Sequence, residues 1–66
     1  MNQNFRVERY NAFGDLAGIV ALVEDQKVAE VVATMLAKRD NRKASSQYYA
    51  VASCKTNQIV FEVEVL

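Results

Sequence analysis

The stretch Asp25 to Asp40, DQKVAEVVATMLAKRD, sets Val28, Val31, Val32, Met35 and Leu36 at spacings of three, four, seven and eight. Such spacings place all five side chains on one face of a helix, so the stretch predicts an amphipathic helix whose apolar stripe is core. Its ends carry the expected chemistry. Asp25 is an N-cap, and Glu24 adds negative charge at the positive end of the helix dipole. Lys38 and Arg39 fall in the last turn, where cations complement the dipole, and Asn41 suits the left-handed residue that closes a helix.

Outward from the helix the pattern changes. Leu16 to Val23, LAGIVALV, is apolar throughout, which suits a strand buried on both faces, with a helical turn as the alternative. Gly18 inside it marks a bulge or a close backbone contact. Phe5 to Tyr10, FRVERY, mixes apolar and charged positions and reads as a first, edge strand. Between these runs, Gly14 is free to take positive φ and Asp15 to bond nearby backbone. After the helix, the polar RKASS segment is a loop in which Ser45 and Ser46 bond locally. Gln47 to Cys54 and Gln58 to Leu66 then read as two strands joined around Lys55, Thr56 and Asn57. The last strand alternates: Ile59, Phe61, Val63 and Val65 point one way, Glu62 and Glu64 the other. The expected fold is therefore one α+β domain spanning residues 1–66. It has the order ββαββ, a four-stranded, mostly antiparallel sheet, and one amphipathic helix on one face.

A chain of 66 residues is near the lower limit for unaided folding; at this size only about 60% of the unfolded surface is buried. Small domains add a staple. With Cys54 as the single cysteine there is no disulfide within the monomer, and with no histidine no zinc site is expected. That leaves tight packing or self-association; the apolar content of 52% argues against disorder, and a homodimer is expected to cover the sheet face opposite the helix. Formal net charge is zero, which weighs against a free-standing nucleic-acid binder. Residues 2–9 are polar and resemble no secretory leader, and the eight-residue run LAGIVALV is too short to span a bilayer. A cytoplasmic protein without membrane contact is expected, in keeping with a lone thiol.

The inventory is poor in catalytic chemistry. No histidine serves proton transfer, Cys54 has no imidazole to activate it, and no glycine-rich phosphate cradle is present. Glu62 and Glu64 share a strand face but read as solvated surface. Cys54 reads as a small buried hydrophobe. No enzyme, cofactor or metal is expected. The candidate site is basic: Lys38, Arg39, Arg42 and Lys43, followed by Ser45, Tyr48 and Tyr49. Guanidinium groups bind phosphate or carboxylate, hydroxyls add hydrogen bonds, and tyrosines offer stacking faces. Arg6 and Arg9 join this cluster if the first strand lies beside it. The competing reading is a solvated helix terminus and loop, rich in cations for dipole reasons.

Most of the chain resembles short α+β proteins encoded by bacteriophages. The resemblance is carried by an early strand or hairpin, the acidic turn Val23-Glu24-Asp25, a helix ending in Leu36-Ala37-Lys38-Arg39, and the tyrosine-rich strand Tyr48-Tyr49-Ala50-Val51. It implies a protein of the host cytoplasm that binds and disables a host factor, or one that sequesters a nucleotide signal. Three functions are thus open: a homodimeric interaction module that modulates a host protein, a sponge for an anionic nucleotide-type ligand, and a weak nucleic-acid binder.

Overall fold

The computed structural model describes residues 3–40 and 48–65, with the side chain of Asp40 left out of the description. Five elements follow one another: β1 (Phe5–Tyr10), β2 (Leu16–Val23), α1 (Gln26–Asp40), β3 (Tyr48–Ser53) and β4 (Ile59–Glu64). The strands form one sheet in the order β2-β1-β3-β4, antiparallel at every contact, with α1 on one face. This is the expected ββαββ arrangement of the α+β class.

Inside that frame several expectations are corrected. β1 is central, not an edge, pairing with β2 on one side and β3 on the other. Its charges are tolerated there because they satisfy one another. The Arg6 Nε donates to Glu8 Oε2 at 2.6 Å, and the Tyr10 hydroxyl donates to Glu8 Oε1 at 2.8 Å. Conversely LAGIVALV forms an edge strand whose side chains are largely exposed. It has a neighbour on one side only, and the helix-side core takes just Ala21 and Val23 from it. Two bulges, at Val20 and Ala17, shift its register on either side of Gly18. They re-phase the alternation so that Leu16, Ile19 and Leu22 lie opposite Tyr10, Glu8 and Arg6, all on the face away from α1.

The helix begins as expected, with the Val28 amide donating to Asp25 Oδ2 at 3.2 Å. Its rotation is not as expected. Ala29, Ala33 and Ala37 are the fully buried positions, with Val32 and Leu36 packed beside them, while Val28, Val31 and Met35 are exposed. The helix is turned by about 100°, one residue's worth, from the phase that the larger side chains indicate. Alanines let its backbone settle closely on Val7, Tyr49 and Val51 of the sheet.

Phe61 and Val63 of β4, and Val65 just after it, face the core as expected. A bulge at Val60 sends Ile59 to the other face, opposite Ala52. The first turn is organised by Asn11 instead of Asp15: Asn11 Oδ1 accepts from the Phe13 and Asp15 amides, and Gly14 takes φ +83. In the second, Asn57 adopts φ 60 and Ser53 Oγ accepts from the Lys55 and Thr56 amides. Cys54 lies in that turn and is exposed, not buried. The expectations for Asn41, Ser45 and Ser46 fall outside the described residues.

Candidate functional site

The strand directions bring the last turn of α1, the end of β1, the start of β3 and the end of β4 to one end of the molecule. Four of the seven candidate residues are described there. Lys38 and Arg39 are exposed side by side. Tyr48 and Tyr49 diverge, because neighbours in a strand point to opposite faces. Tyr49 is 5% exposed and belongs to the core beneath α1. Tyr48 lies on the opposite face, half-buried, stacked on Tyr10 with ring centroids 4.8 Å apart and planes parallel to 1°. Arg42, Lys43 and Ser45 lie outside the described residues. Of the two cations on β1, Arg9 is half-buried in register with Tyr49, and Arg6 is held by Glu8 and by Asn57 Oδ1 at 3.1 Å.

Glu8 is the most unusual group on the face away from the helix. It is 3% exposed, enclosed by Arg6 and Tyr10 from its own strand. The bond to Glu8, reinforced by burial, holds the Tyr10 phenol protonated and pushes its pKa up to about 12. The same carboxylate raises Arg6 above its ordinary value. Each oxygen of Glu8 accepts a hydrogen bond from its own strand, so the triad locks the three side chains together.

Two apolar surfaces carry more than the sequence suggested. The first is the β2 row of Leu16, Ile19 and Leu22, at 52%, 55% and 51% exposure. The second is a groove of about 350 Å³ between α1 and β4, in which Val31 and Met35 stand above Phe61, with Lys27, Glu30 and Lys38 among its polar lining. The alanine repeat at 29, 33 and 37 was the available signal for it: those positions claim the core and turn Val28, Val31 and Met35 outward.

Among the described residues no three histidine, cysteine or acidic side chains gather as a metal site would require. Nor is any described helix long and apolar enough to cross a membrane. Comparison with protein families, curated proteins and solved structures finds no match to this chain.

Proposed function

We propose that the chain is a non-enzymatic interaction module, a homodimer that binds a host protein in the cytoplasm and modulates or inhibits it, in the manner of the phage proteins its sequence resembles. The observation that carries this reading is the exposed row Leu16, Ile19 and Leu22, aligned on one face by two bulges. Bulges re-aim side chains, and a contiguous apolar patch on so small a domain marks a contact surface. β2 has no charged residue in its eight positions. A two-fold contact sets each patch against its own copy, so an uncharged patch pairs with itself without like-charge repulsion. The acidic residues Glu62 and Glu64 lie at the far side of the same face and stay outside such an overlap.

Chemistry supports the absence of catalysis from another direction. The chain has no histidine, its thiol is exposed without an imidazole, and its buried carboxylate accepts hydrogen bonds from Arg6 and Tyr10 of its own strand. The anionic-ligand reading keeps Lys38 and Arg39 but not Tyr49, whose ring is in the core.

Light scattering coupled to size exclusion tests the dimer. The expected mass is twice 7.4 kDa, and Ile19→Lys returns it to the monomer with an unchanged circular dichroism spectrum. A wild-type monomer throughout the micromolar range overturns the dimer. Affinity capture from host lysate should retain one protein in stoichiometric amount. A nucleotide panel in thermal-shift assays should leave the transition where it is; a clear upward shift would favour the sponge instead.

A further inference from the structure

We infer that the outer edge of β4 and the flank of α1 above it form a strand-addition site, taking an extended segment of the partner protein whose residues alternate between apolar and basic. The inference rests on the interaction-module reading and says where and how the partner is held. β4 ends the sheet, and no described strand pairs with its outer edge. Its bulge is confined to Val60, so Phe61 to Glu64 offer regular, unpaired backbone groups. Main-chain hydrogen bonds to such an edge supply affinity, and alternate side chains supply specificity.

The two faces of an added strand meet different surroundings. On the helix side its residues lie beside Phe61 and below Val31 and Met35, which are 56% and 60% exposed. The groove there, about 350 Å³, is more than double a cavity of ~150 Å³ that holds a benzene ring, so two aliphatic side chains fit. Lys27 and Lys38 stand eleven residues apart along α1, about 16 Å, which matches a strand of roughly five residues. Glu30 also lines the groove, accepting from the Gln26 side-chain amide at 3.0 Å, so two cations stand against one acid and the balance still disfavours basic residues on this side. On the other side the added strand lies against Glu62 and Glu64, which are exposed and make no ion pair among the described residues. Opposite charges directly across a strand pair attract, so basic residues belong there. The same glutamates exclude a second copy, since pairing β4 with itself across a two-fold axis would bring four carboxylates together. Charge thus selects a foreign strand, apolar inward and basic outward.

Two hexapeptides, one alternating valine with lysine and one alternating valine with glutamate, serve as probes in an NMR titration of isotope-labelled protein. The lysine peptide should shift the backbone amides of Phe61 to Glu64 and the side-chain methyls of Val31 and Met35. The glutamate peptide should bind about tenfold more weakly, two attractive cross-strand pairs having become repulsive. The double variant Glu62→Lys/Glu64→Lys should reverse that order. Met35→Glu, at an exposed position, should abolish binding of the lysine peptide with fold and oligomeric state unchanged. Equal binding of the two peptides, shifts on β2 instead of β4, or no shift at millimolar peptide overturns the site. Capture of the same host protein by Met35→Glu also overturns it while leaving the interaction reading intact. If wild type captures nothing from lysate yet binds the lysine peptide at β4, the site stands and the host-protein reading falls.

Discussion

Glu8 is a buried carboxylate with its partners on its own strand, two residues away on either side. Removing one partner of a buried charge leaves the other without compensation. Arg6 is 21% exposed, which moderates the loss. Arg6→Met should therefore destabilise by about 2 kcal/mol in urea unfolding, the scale for an unsatisfied buried group. Restoring Lys at the position should recover part of that. Tyr10 gives a pH signature whose sign is fixed by its raised pKa. The protonated phenol is favoured by folding, so its contribution is complete below the ordinary tyrosine value near 10 and is lost as pH climbs through about 12. Stability measured across that alkaline window should fall in wild type and fall less steeply in Tyr10→Phe. These residue-scale facts were only half legible. FRVERY announced charges; that they neutralise one another inside β1 depends on spacing i, i+2, i+4 along a strand whose far face is covered by its neighbours. Composition alone joins Tyr48 and Tyr49 into one stacking site, although the period of two already separates adjacent strand residues.

At the scale of elements, α1 shows what pattern reading captures and what it passes over. The existence of the helix, its Asp25 cap and its basic last turn follow from local chemistry and were readable. Its rotation depends on how closely the backbone approaches the sheet, and there small residues win over large ones. Ala33 has no exposed surface and no room to grow. Ala33→Leu should cost about 1–3 kcal/mol by overpacking, whereas Met35→Ala, which changes a more prominent side chain, should stay within about 0.5 kcal/mol. Chemical denaturation of the two variants decides the point, and the opposite ranking would restore the phase that the larger side chains indicate. The strands tell a similar story. Alternation along β4 and just past its end was legible through Phe61, Val63 and Val65, and it failed at Ile59, where a bulge that no residue type announces reverses the face. LAGIVALV reads as a strand buried on both faces and is one of the two edge strands, because composition reports what a strand is made of and not which neighbours it has.

For the whole molecule, the position of β1 has a consequence in time. Its pairing with β2 joins residues close in sequence, but its pairing with β3 sets Phe5 against Ser53 and must wait for almost the whole chain. Contacts between distant residues are slow to form, since the loop must close before they contribute. The closure of β1 on β3 is then the rate-setting event of folding. Stopped-flow refolding checks this: Val51→Ala, at that seam, should slow refolding, while Val63→Ala, on β4 and away from the seam, should act mainly by hastening unfolding. Equal effects of both on refolding would mean that the sheet forms as one unit. During synthesis, moreover, the β1–β2 hairpin emerges long before β3 exists, with one side of β1 open to every other nascent chain. Open edges of apolar strands are where growing polypeptides stick together. Arg6, Glu8 and Tyr10 bond within one strand and need nothing that has yet to be made. Their polar groups interrupt the apolar run of β1 through the interval in which it is an edge, and of the three Glu8 alone is buried once β3 is in place.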